Sequence, residues 1–407
     1  MTNAKTITLS TEQSLSLVKK CEKSAVKHSS IYKKSLFVML GITVFMVILS
    51  FFRPVCDWYT DTVYILLNET ISRFNGMFKY AVGEFVMYLG AITLLTTAVV
   101  TIIFIFLHKN ITFKRFAIKL YKADLFAVVF ILTLFAVNWL LPFRSSILKV
   151  NASEETNYSI DEVLSVRNYL VEQLNEAALS VQRDEDGRII YYDVTDEVID
   201  AMQAQSYRYG RLSGYYSPIK PALCSDVLEW MGIGGFNYAY SIEPTYNVYC
   251  DNLFIPVLFA HEYAHHKGYY RENEAEFLSS IALAECSDPL LQYSAYIQMY
   301  NYLDSAYYDA LCSELDPTTA SEADYMKINE KYSAQPQPIA QVYEDQCLAW
   351  AESDELYEEN VNEFLEDNFE EVSTEVAETG WQVQGEVLKE NTYDGVVLMY
   401  LRYFVNK

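Results

Sequence analysis

Hydrophobic positions are spread unevenly along this chain. Three runs carry no charge at all: Ser35–Phe52 with 18 residues, Phe85–Leu107 with 23 and Leu125–Phe143 with 19. An apolar helix of about 20 residues crosses the hydrocarbon core of a bilayer, so each run predicts a transmembrane helix. A soluble protein can bury one such run, but three crowded into the first 143 residues predict a membrane region. Beyond it the pattern shortens. Apolar spacing around Ile160–Leu179 predicts a helix within 150–182, capped by Ser159. A charged turn at Arg183–Arg188 leads to the strand-like Ile189–Tyr192, and Val194–Gln205 again has helical spacing. The glycine- and aromatic-rich Gly232–Ser241 and Tyr246–Tyr249 alternate in the manner of short strands. From Asn273 onward the pattern is mainly helical; Val396–Val405 is short and contains Arg402, which predicts a docked helix and not a fourth span.

Charge orients these runs. Lys5, Lys19, Lys20, Lys23, Lys27, Lys33 and Lys34 precede the first, and Lys109, Lys114, Arg115, Lys119 and Lys122 lie between the second and third. Basic loops stay in the cytoplasm, which places the connection with only Arg53, Arg73 and Lys79 outside, together with everything after the third run. The expected organisation is a basic cytoplasmic leader over 1–34, a three-helix transmembrane region over 35–143 and an extracytoplasmic domain over 144–407. The long polar leader and the absence of an A-x-A-like site after the first run predict a signal anchor and no cleaved signal peptide. A net charge of −24 argues against nucleic acid as a partner. Much of the acid falls in Glu352–Glu378, where Val361, Phe364, Leu365, Phe369 and Val372 keep the spacing of an amphipathic surface helix. Six cysteines, at 56, 224, 250, 286, 312 and 347, fall in the outer part; Cys224 and Cys250 bracket a turn-rich segment and form the favoured pair.

The chemistry concentrates at one place. Three of the five histidines lie in His261-Glu262-Tyr263-Ala264-His265-His266, an HExxH pattern. On a helix, His261 and His265 stand one turn apart on one face and converge on a point where zinc can bind. Glu262 falls beside them as the general base that handles the protons of a water. The uncharged Ile255–Ala260 would bury the start of that helix. His266 points about 100 degrees away around the helix and is not expected as a ligand. A tetrahedral catalytic zinc needs a third protein ligand. Gly268 can stop the helix in a left-handed conformation, so that a second helix begins near Arg271 or Glu272. Glu272 shares a face with Ala275, Glu276 and Ser279, which lets the two helices approach; Glu274 lies on an apolar face with Phe277, Leu278 and Ile281. Glu272 is the favoured third ligand and Glu274 the alternative, with Glu276 orienting a histidine. The competing reading is a helix whose histidines are satisfied by hydrogen bonds alone.

The chain resembles a bacterial family of membrane proteins of unknown function that pair three N-terminal transmembrane helices with an external zincin-like domain. The likeness runs from the apolar runs through Tyr216-Ser217-Pro218-Ile219-Lys220 to the histidine motif and Arg271-Glu272-Asn273-Glu274-Ala275. The last segment is similar to the ExxA stretch of gluzincins, whose glutamate is a zinc ligand, and that register selects Glu272. The resemblance implies a fold of three transmembrane α-helices followed by a mainly α, α+β metallopeptidase domain, in which the strands before the histidine helix are either an edge that holds extended substrate or a small structural hairpin. It does not supply a substrate; the expected activity is that of a zinc-dependent peptidase with Glu262 as base and His261, His265 and Glu272 as ligands, acting on a peptide or protein. The alternative in another class is a non-catalytic sensor or assembly factor that binds a peptide or envelope component.

Overall fold

The computed structural model describes residues 11–146, 158–316, 320–361, 366, 373–374 and 392–405. Most of these residues are helical. Among the described residues, three helices are long and apolar enough to cross a membrane: Ser30–Leu49, Val82–Leu107 and Ile111–Arg144. Each starts before its uncharged run, because the lysines, arginines and Glu84 ahead of the runs are good helix formers and do not interrupt the backbone ladder. Residues 150–157 of the 150–182 expectation, and Phe364, Leu365, Phe369 and Val372 of the acidic one, lie outside the described residues.

The chain divides into two compact units, residues 1–51 with 90–140, and residues 52–89 with 141–407. In the first, helices are joined by hydrogen bonds between side chains in otherwise apolar surfaces. Thr43 and Thr133 hydroxyls lie 3.0 Å apart, Thr101 and Tyr121 hydroxyls 3.0 Å, and Thr97 donates to Asp124. Large apolar side chains such as Phe37, Leu94 and Ile105 are left on the outside.

The second unit is built around two helices packed on each other, Ile160–Ser180 and Pro289–Cys312. The first begins at a capping box in which Ser159 and Glu162 satisfy each other's backbone N–H. Arg167 is buried between them; its guanidinium donates to Asp304 at 2.7 Å and to the Pro336 carbonyl at 2.7 Å. The strand-like Ile189–Tyr192 contributes only one bridge, between Ile189 and Arg183. The sheet has order β1 (Lys220–Pro221), β3 (Glu243–Tyr246), β2 (Gly235–Tyr238), with β1 parallel and β2 antiparallel to β3. Thr392–Val405 packs Val397 and Tyr400 into the core, where Tyr400 bonds Ser280 at 2.9 Å. Cys224 and Cys250 do not form the favoured disulfide: Cys224 Sγ lies 3.8 Å from the Tyr238 hydroxyl and Cys250 Sγ 3.6 Å from the Gly234 carbonyl.

Residues 52–89, where the hydrophobic pattern gives only a connection, form a continuous helical rod over Arg53–Asn75. Two π-helical turns, Thr60–Tyr64 and Asn68–Ser72, widen it, so that residues four apart stay on one line. Cys56, Thr60, Tyr64, Asn68 and Ser72 form the buried line. Past its end, a buried ion pair fastens the sheet. Lys220 Nζ contacts Glu243 at 2.6 Å, and the same carboxylate accepts from the Val82 and Gly83 N–H groups at 3.1 and 2.9 Å. Replacing Lys220 with methionine leaves that carboxylate buried with its charge uncompensated. We expect a loss of about 3–5 kcal/mol, read as a lowered denaturation midpoint of the full chain in detergent; a change within about 0.5 kcal/mol would show the pair to be dispensable.

Candidate metal centre

The histidine helix runs Ile255–His266. Pro256 in its first turn costs no internal hydrogen bond, and Val257, Ala260 and Ala264 bury its inner face. It ends in a Schellman turn. Gly268 adopts φ +87°, its N–H bonds the His265 carbonyl at 2.9 Å, and the Tyr269 N–H bonds the Ala264 carbonyl at 3.0 Å. The chain reverses within Lys267–Arg271 and the glutamate helix, Glu272–Ala284, packs back along the first.

This reversal brings His261, His265 and Glu272 together; one ligand atom from each lies within 4.8 Å of the others. Both Nε2 atoms face Glu272 Oε2, at 3.2 Å from His261 and 3.4 Å from His265. The far sides of the rings decide what this means. His265 Nδ1 lies 2.8 Å from the Tyr269 carbonyl, which can only accept, so that nitrogen carries the proton. His261 Nδ1 lies 3.1 Å from Glu276, whose other oxygen accepts from Gln298 at 2.6 Å. With both Nδ1 protons committed, each Nε2 faces the same carboxylate oxygen and can either hold a second proton or, as a bare lone pair, bind a cation. When both rings are neutral, three lone-pair atoms converge on one point, and a cation is what such a set fits. Positive charge is favoured at this point. Burial disfavours a charged His261, yet its hydrogen bonds to Glu272 and Glu276 prevail and hold its pKa well above the usual value. Burial likewise opposes the carboxylate of Glu272, but His265 and His261 hold it well below the usual range. The Glu272 side chain is 45% exposed while those of His261 and His265 are 17% and 10%, so the cluster opens to solvent on the Glu272 side.

Glu262 is not one of the three. It is buried against β2, where a Cβ added to Gly235 would lie 2.7 Å from its Cγ and Oε1, and its Oε2 has no hydrogen-bond partner. Burial pushes this carboxyl up to about 7, against the pull of His265 and His261. The structure separates the other candidates. His266 turns away and is held by the Ser217 N–H and the Asn68 amide, each 3.2 Å from Nε2; burial and Lys267 lower its pKa to about 3, so it stays neutral. Glu274 is buried on the opposite side, where it accepts from the Ser146 hydroxyl.

Sequence reasoning missed several supporting groups. Tyr64 reaches from the helical rod to the Tyr270 hydroxyl at 3.0 Å, and the Tyr270 ring stacks on His265 with centroids 5.9 Å apart. Asn68 also donates to the His266 carbonyl at 2.6 Å. Gly235 had a legible signal, since a glycine inside a strand marks close approach of another group. Tyr64 and Asn68 had none, because they lie in a segment whose buried line is mostly polar.

A family model described as "Protein of unknown function (DUF3810)" matches residues 59–372, and the chain belongs to that family. No curated protein and no solved structure matches it.

Proposed function

We propose that this member of the DUF3810 family is a membrane-anchored zinc metallopeptidase that cleaves peptides or proteins outside the membrane. The observation that carries the reading is the convergence of two imidazoles, with their Nδ1 protons already committed, and one carboxylate oxygen on a single open point. His261, His265 and Glu272 would hold the zinc, and the helix–turn–helix that presents them is the part we assign to a zincin-like, gluzincin-type domain. When bound, the ion supplies Lewis acidity and makes water acidic enough to ionise near neutral pH.

Glu262 does the proton work. Its carboxyl is poised near neutrality, so it can take a proton from the attacking water and return it to the leaving amine. One close wall is β2, an edge strand of the sheet. Asn237 stands opposite Pro244, which has no N–H, and both polar atoms of its buried side chain lack partners. By the two-residue period it shares a face with Gly235, which suits it to accept an extended peptide alongside Glu262. The basic segments before the first apolar helix and between the second and third support a cytoplasmic N-terminus and an extracytoplasmic location for this unit.

The direct test is elemental analysis of the purified full chain after zinc supplementation, followed by digestion of a peptide library. About one zinc per chain and chelator-sensitive cleavage are expected; a chain that holds its zinc but cuts nothing would leave a binding module. A finer test is Gly235→Ala, whose methyl would displace the Glu262 carboxylate. Cleavage should fall by about 10²-fold, the effect of misplacing a reacting group by an ångström, with zinc content unchanged. Unchanged cleavage in this variant would remove Glu262 from the proton pathway.

A further inference from the structure

The helical rod that supports the metal centre has a second face. Opposite the line Cys56–Ser72 run Trp58, Thr62, Leu66, Thr70 and Phe74, continued by Met77 and Phe78, all exposed. Trp58, Leu66, Phe74 and Met77 are 60%, 64%, 58% and 73% accessible. The two threonines do not interrupt the apolar character. Thr62 donates its hydroxyl to the Trp58 carbonyl at 2.6 Å and Thr70 to the Leu66 carbonyl at 2.8 Å, which leaves their methyl groups on the surface. Charged neighbours are drawn to the flanks: Asp61 pairs with Arg211 at 2.6 Å, and Arg73 with Glu69 at 2.8 Å.

We infer that this face is seated in the lipid interface of the membrane. The occupant follows from the chain path. The rod begins four residues after Leu49, where the first apolar helix ends, and Asn75 at its far end lies seven residues before Val82, where the second begins. Both ends are therefore tethered to the ends of candidate spans, and an aromatic and aliphatic stripe held there meets headgroups and upper acyl chains. The rod's other face carries Tyr64 and Asn68, which hold the turn after the histidine helix. Lipid contact on one side thus lies about 10 Å, one helix diameter, from that turn on the other.

The inference rests on the reading that the three apolar helices cross a membrane, and the test separates the two. The full chain is reconstituted in vesicles of phosphatidylcholine with brominated acyl chains, and tryptophan emission is compared for the parent, Trp58→Phe and Trp139→Phe proteins. Trp139 lies within the third apolar helix and reports on the membrane reading. The expected result is that bromolipid removes most of the emission due to Trp58 as well as that due to Trp139, while aqueous iodide quenches neither. Quenching of Trp139 alone, with Trp58 open to iodide, overturns the inference and leaves the spans intact. Trp58 shielded from both quenchers, with Met77→Cys chains forming disulfide-linked dimers, assigns the face to a second copy and also overturns it. If neither tryptophan is quenched by bromolipid, the membrane reading itself fails.

Discussion

Replacing Glu262 with glutamine should leave zinc binding intact and lower peptide cleavage by about 10²–10⁴-fold, the usual worth of a positioned general base. Glutamine keeps the shape that fits against Gly235, so the packing of β2 on the histidine helix survives. It removes the proton acceptor and nothing else near the cluster, because no ligand atom belongs to residue 262. Stability should not suffer. The parent carboxylate is buried with one oxygen unpartnered, and burial already disfavours its charged form, so a neutral amide is no worse accommodated. Zinc per chain by elemental analysis and fragments shed by cells carrying each version are the two readouts. Indistinguishable fragment profiles with equal zinc would remove catalysis from the account and favour a sensor that merely binds.

The parts of the molecule that were legible in the sequence are those where one strong local rule operates. Uncharged length marks the apolar helices, Ser159 and Glu162 mark a cap, and Gly268 marks the point where the histidine helix must stop. The cluster was legible because the reversal is short: five residues, Lys267–Arg271, leave the second helix little choice but to return along the first. The helical rod was not legible for a physical reason. Its buried line is Cys56, Thr60, Tyr64, Asn68 and Ser72 and its exposed line is apolar, the reverse of the pattern that reveals a helix in a soluble unit. The two-residue β1 is too short to have a period, and its parallel pairing with β3 depends on distant residues. At Ile189–Tyr192, β-favouring residues found only a single bridge partner, so propensity alone was insufficient.

Three substitutions on one helix discriminate the roles of its carboxylates. Glu272→Ala should reduce bound zinc from about one per chain to a small fraction, because it deletes one of the three converging ligand atoms and catalytic zinc sites keep three protein ligands. Glu276→Gln retains a hydrogen-bond partner for His261 Nδ1 but not its charge; zinc affinity should weaken by about 10–100-fold, as is usual when the partner of a ligand histidine is changed. Glu274→Ala should keep its zinc. That carboxylate accepts from Ser146 away from the cluster, so its loss appears as destabilisation of about 1–3 kcal/mol from an unsatisfied buried group. Metal titration with a competing chelator and thermal denaturation of each variant separate these outcomes. Normal zinc in the Glu272 variant together with its loss in the Glu274 variant would exchange the two assignments, and would require the helix to turn about its axis relative to the geometry described here.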